Sequence, residues 1–109
     1  MKIIYITAKN EKEAMNISMT LVKEKLIACA NIHNIKAIYE WKKEGKDKAE
    51  IQEDNEAVII AKTTDALVDE AMARTKELHS YECPSIIVIP VEKGNKDYLK
   101  WVEDVTTSV

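Results

Sequence analysis

The sequence is poor in chain breakers. Two glycines and two prolines in 109 residues leave little room for linkers, so most of the chain belongs in regular structure. It is equally poor in arginine: Arg74 is the only one among sixteen basic residues. Arginine is the usual bidentate partner of phosphates and guanine edges. Its scarcity, with a net charge of −3 and a pI near 5.4, argues against nucleic-acid binding, which needs a positive footprint. No apolar run approaches the ~20 residues of a bilayer span. The opening MKIIYITAKN lacks the apolar region and small-residue site of a cleavable signal. A soluble, cytoplasmic chain with no membrane partner is expected. The two cysteines, Cys29 and Cys83, have no CxxC spacing and read as reduced thiols in that compartment. With only two histidines besides, and no close pair of ligands, a closed four-ligand zinc site is out of reach.

What is present is strongly patterned. The length supports one domain over residues 1–109 with a modest core. Lys2–Ala8 is a short apolar strand. Asn10 begins a helix N-cap, with Glu13 placed to reach back to the cap's amide. Ala14, Ile17, Leu21 and Ala28, flanked by Val22 and Leu26, carry the helix to about Ile27. Ala30–Lys42 is a strand with Ile35, Ala37, Tyr39 and Trp41 on one face. The charged KKEGKDKAE around Gly45 is an exposed hairpin tip, and the return strand ends at Lys62-Thr63. Thr64-Asp65 caps a second helix with a stripe of Val68, Ala71, Met72, Thr75 and Leu78. A last strand, Ser85–Val91, precedes a short helix after Gly94-Asn95, with Tyr98, Trp101, Val102 and Val105 on one side.

The order is βαββαβ plus a C-terminal helix, an α+β, ferredoxin-like arrangement with an antiparallel sheet and both main helices on one face. The topology puts Cys29 and Lys62 at one end of the sheet and Trp41, His79, Tyr81 and Cys83 towards the other. A Cys29–Cys83 disulfide within one chain is therefore not expected, since it needs Cα atoms within about 7 Å. One apolar sheet face is left uncovered, so an oligomer is expected.

Five segments, KEKLIACANI, IYEW, DNEAVIIAKT, LHSYECP and GNKDYLKW, occur in that order over nearly the whole chain. Together they resemble the CutA family of divalent-cation tolerance proteins. The resemblance implies a ferredoxin-like subunit in a homotrimer and a role in tolerance of copper or another divalent metal. It also implies a plan similar to PII signalling proteins, so the alternative is a trimeric signalling or scaffold protein that binds a small anionic ligand. Two departures stand out. Ser80 occupies the place where the family usually has proline, and the 43–50 hairpin is about six residues longer than the pattern leads one to expect.

The stretch ELHSYECPSIIVIP (77–90) gathers the most chemistry. His79 suits a helix C-terminus, and Pro84 stops continuation. The family motif gives His79 a second reading, as a metal or anion ligand with Tyr81 and Glu82 completing the shell. Cys29 reads as a buried filler or, through the resemblance, as a metal residue. Thiolate and imidazole suit copper or zinc, so His79, Cys29 and Cys83 are the candidate metal residues. Lys62, Tyr81, Glu82 and Trp41 would line a cleft between subunits. No essential cofactor is expected. Cys83 lies four residues from His79, yet no third orienting group or oxyanion-hole loop is evident, and GxxxxGK is absent. The chain is therefore not expected to be an enzyme. His33 reads as a strand residue, QEDNE (52–56) as a solvated face, and Tyr39 and Trp41 as interface anchors.

Overall fold

A computed structural model describes residues 1–107; the last two residues of the expected 1–109 domain lie outside the described residues. The elements are β1 (Lys2–Ala8), α1 (Glu11–Lys23), β2 (Cys29–Trp41), β3 (Glu50–Thr63), α2 (Val68–Leu78), β4 (Ile86–Pro90) and α3 (Lys96–Thr106). The strands form one antiparallel sheet in the order β2-β3-β1-β4, so the expected element order and α+β class hold. Strand alternation sends Ile4, Ile6 and Ala8 of β1, with Ala57, Ile59 and Ala61 of β3, into one core. Ala14, Ile17 and Leu21 of α1 and Val68 and Ala71 of α2 close it from above. Each fully buried isoleucine or leucine contributes roughly 1.5–3 kcal/mol.

α1 starts as expected, with Asn10 Oδ1 accepting from the Glu13 N–H at 2.9 Å. Glu13 reaches one residue further back than expected, accepting the Lys9 N–H at 3.1 Å. The helix ends at Lys23, four residues before the expected Ile27. Lys25 adopts φ 60°, its N–H bonds Val22 O at 3.0 Å, and the Leu26 N–H bonds Leu21 O at 2.9 Å. This is a Schellman stop with lysine in the position usually held by glycine. Leu26 and Leu21, both in the core, supply its apolar contact. Val22, expected beside the buried stripe, is exposed.

α2 starts three residues after its expected cap. Leu67 precedes it with no side-chain cap, and Asp65 pairs instead with the N-terminal ammonium at 3.2 Å. Arg74 ties α2 to the end of α1 through Glu24 at 2.9 Å. On α3 the expected Val102 is buried and Val105 half-buried, joined by buried Thr106 and half-buried Leu99, while Tyr98 and Trp101 stack on each other at 5.7 Å and stay more exposed. Thr106 can face inward because its hydroxyl donates to Val102 O at 2.8 Å.

The opposite sheet face carries half-buried Ile3, Tyr5 and Ile60 and exposed Ile87 and Ile89, the uncovered apolar face expected. β1 pairs with β3 only from Ala57 onward, so Ile35–Trp41 and Glu50–Glu56 pair with each other alone. Their seven pairs form a free two-stranded ribbon roughly 24 Å long. It stretches the molecule to 53 × 25 × 21 Å and ends in an exposed tip where Gly45 takes φ 82°.

Candidate functional site

The C-terminal end of α2 delivers His79 with extended backbone, φ −79° and ψ 142°. Its ring turns inward, with no exposed side-chain surface. Nε2 lies 2.7 Å from Thr7 O at the end of β1, and Nδ1 accepts the Tyr81 N–H at 3.1 Å. A carbonyl requires a donor and an amide requires an acceptor, so the ring is the neutral tautomer with its proton on Nε2. The Tyr81 ring tilts against it at 4.9 Å, and the Tyr81 hydroxyl donates to Glu56 Oε2 at 2.8 Å. Burial, then the carboxylate of Glu56, raise the Tyr81 phenol well above the usual tyrosine range.

Glu13 completes this end of the sheet from α1. Besides the Lys9 amide it accepts the Ser80 N–H at 3.2 Å, and it stands 4.0 Å from His79 Nδ1. Burial pushes its carboxyl up, but hydrogen bonds from Ser80 and Lys9 outweigh that and leave it below the ordinary value. A proline at 80 would have no N–H for this contact. On the adjacent ribbon the Tyr39 hydroxyl donates to Asp54, which raises the Tyr39 phenol. Two members of the stretch read as a solvated face, Asp54 and Glu56, are thus acceptors for tyrosines. A cleft of about 510 Å³ opens beside Glu56, lined also by Asn10, Asn34 and Lys36.

The other end of the sheet holds Cys29 and Lys62, directly paired across β2 and β3. Cys29 Sγ is 3.3 Å from Tyr98 Oη, and the Lys62 ammonium donates to Asn31. The hydrogen bond with Cys29, then burial, push the Tyr98 phenol up to about 12. Thr7 pairs with Val58, four residues from Lys62, so His79 and Lys62 are separated by roughly 13 Å of strand. Trp41 pairs with Glu50, twelve residues from Lys62 and roughly 40 Å away along β3. The single chain therefore brings His79 and Tyr81 together, and Cys29 and Lys62 together, but does not join the two sets. Trp41 stands apart on the ribbon, 59% exposed, and Glu82 and Cys83 lie exposed in the loop before β4.

Three partners are not legible in the sequence: Glu13 as a bridge to the 79–82 loop, Glu56 as the Tyr81 acceptor, and Tyr98 against Cys29. All three contacts span many residues. Only the position of Glu13 at the helix start carries a signal, and that signal points to capping.

A metal ion needs free lone pairs. Those of His79 are committed, since Nδ1 accepts from Tyr81 and Nε2 carries the proton given to Thr7. Cys29 and Cys83 are free thiols at separate places, and among the described residues no three His, Cys, Asp or Glu side chains converge. The described residues of a single chain do not fit a metal centre. Among the described residues, no helix is long and apolar enough to cross a membrane.

Residues 2–105 match the family described as CutA1 divalent ion tolerance protein. The chain is 45% identical to the divalent-cation tolerance protein CutA of Pyrococcus horikoshii over 106 residues, 97% of this chain and 98% of that one. It is 41% identical to human protein CutA over 96% of its own length but only 56% of the human one, so it spans about half of that relative. Among solved structures, CutA1 from P. horikoshii superposes with a TM-score of 0.89 at 41% identity, covering 99% of this chain and 100% of that one. An Archaeoglobus fulgidus CutA described as a periplasmic divalent cation tolerance protein gives 0.88 at 37%, covering 98% and 100%. The overall fold is thus that of solved CutA1 structures, and the chain belongs to the CutA1 divalent-ion tolerance family.

Proposed function

We propose that this chain acts in divalent-cation tolerance as a homotrimer and that it binds rather than catalyses. The observation that carries the reading is the free ribbon. Two strands alone are marginal in water, yet this pair holds Ile38 and Ile51 at 70% and 75% exposure, with Tyr39 and Trp41 beside them. Such a surface calls for a protein partner, and a second apolar patch waits on the uncovered face of the same sheet. A head-to-tail contact between two different patches closes into a ring when its rotation is threefold.

In the trimer, the Cys29–Lys62 end of one protomer faces the Tyr81–Glu82 end of the next, and copper or another divalent ion is taken up at that cleft. His79 serves there as the pin that orients Tyr81. A thiolate and carboxylates from two chains make a donor set that one chain lacks.

The test is native mass spectrometry of the chain with and without one equivalent of copper. The reading expects a trimer that takes up a fixed number of coppers and loses them in Cys29→Ser or Glu82→Gln. A trimer without stoichiometric copper would remove the ion from the cleft and favour the small-anion signalling alternative. A monomer would remove the cleft itself.

A further inference from the structure

We infer that Glu13 is the positioning residue of the Tyr81–Glu82 side of the cleft, a role that rests on the cleft reading above. Its carboxylate joins the β1–α1 junction to the loop at His79 and Ser80, with Ser80 lying 67 residues away in sequence. Oε1 accepts from Lys9, where β1 passes into α1, Oε2 accepts from Ser80, and His79 Nδ1 stands 4.0 Å away. An N-terminal helix carboxylate needs only its own first turn for capping, and Asn10 already caps the Glu13 amide. The second oxygen of Glu13 is committed outside the helix, to the loop.

The consequence is directional. Glu13 holds Ser80, the next amide along bonds His79, and the Tyr81 side chain that follows reaches Glu56 on β3. Fixing residue 80 from α1 sets where Tyr81 and Glu82 stand relative to the ribbon base. The orientation of the cleft wall is thus carried by the rigid, core-backed start of α1 rather than by the loop itself. Tyr81 and Glu82 would meet the ligand, and Glu13 acts through them.

Amide hydrogen exchange on the intact protein tests this. Glu13→Ala is expected to speed exchange of the Ser80 and Tyr81 amides about tenfold, the loss of one charge-assisted acceptor, while Leu21 in the helix core stays slow. Asn10→Ala is the control, since it weakens the same helix end and leaves the carboxylate in place. It should loosen the first turn of α1 and leave Ser80 and Tyr81 unchanged. Unchanged exchange in Glu13→Ala, or equal acceleration in Asn10→Ala, would overturn the inference. Should Glu13→Ala fail to fold, Ser80→Pro removes the same contact from the other side, and the extended backbone of His79 already suits a following proline. Tyr81 should again exchange about tenfold faster, and native protection there would equally overturn the inference. Copper uptake by the trimer supplies the functional arm: Glu13→Ala should weaken it about tenfold at unchanged assembly mass, and undiminished uptake would refute the positioning role. If the native trimer takes up no copper, the proposed function falls, while the exchange data still decide whether Glu13 holds the loop.

Discussion

Replacing His79 by alanine separates a structural pin from an exposed ligand. The ring has no exposed surface and makes two hydrogen bonds, one to Thr7 O and one from the Tyr81 N–H. Losing them strands a carbonyl and an amide in a part-buried site, at about 1–1.5 kcal/mol each. The lost ring contact with Tyr81 adds about 0.5 kcal/mol, for a total near ~3 kcal/mol. Melting entropies of about 2.1 cal/mol/K per residue give roughly 0.23 kcal/mol/K for 109 residues, so the melting temperature should fall by about 13 °C. The assay is thermal unfolding in chelator, with variant and native protein at equal concentration because association stabilises the folded state. A ligand histidine freed of its ion would cost little on truncation. A change of less than about 0.5 kcal/mol, the usual range for surface sites, would refute the buried-pin argument. The expected result also means that metal loss in His79→Ala, taken alone, identifies no ligand.

Lys25→Gly should raise stability by about 1 kcal/mol, because glycine relieves the positive φ of the Schellman position; Lys25→Ala should not, and an equal gain in both by denaturant titration would point to charge instead. Ser18→Ala should be neutral or stabilising by up to about 1 kcal/mol in the same titration, since the buried Ser18 hydroxyl has no partner. Glu13 contributes acid-sensitive stability. Its folded carboxyl lies below the ordinary value of 4.5, so its contribution is complete above that pH and is lost as pH falls through the folded value. The stability gap between native protein and Glu13→Gln, measured from about pH 7 downward, should therefore shrink in acid; a gap that widened would reverse the assignment.

The element order is readable because period-2 and period-3.6 patterns are local. Boundaries depart from the pattern where tertiary forces decide them. Lys25 ends α1 without any glycine to announce it, because packing of Leu26 on Leu21 offsets the strained backbone. α3 buries Thr106 beside the expected Val102 because a threonine hydroxyl can satisfy itself within its own helix and pass for apolar. The motif 79–84 is visible as a concentration of reactive residue types, but its chemistry is not. Whether His79 offers a lone pair depends on Thr7, 72 residues away, and no spacing rule reaches that far. Ser80 stands out in the sequence only as a departure from a pattern, and its meaning comes from Glu13 on another element.

The sheet order has a consequence for synthesis. β1 is central, with β3 on one side and β4 on the other, yet it is made before either partner. Lys2 pairs with Pro90, so one edge of this apolar strand waits for roughly 80 further residues, about 4–16 s at roughly 5–20 residues per second. During that interval Ile3, Ile4, Tyr5 and Ile6 present an open edge to whatever else is being made nearby. The nascent chain is thus most vulnerable to mispairing before Ile86 emerges, and a pause downstream of β3 would lengthen that exposure without altering the finished protein.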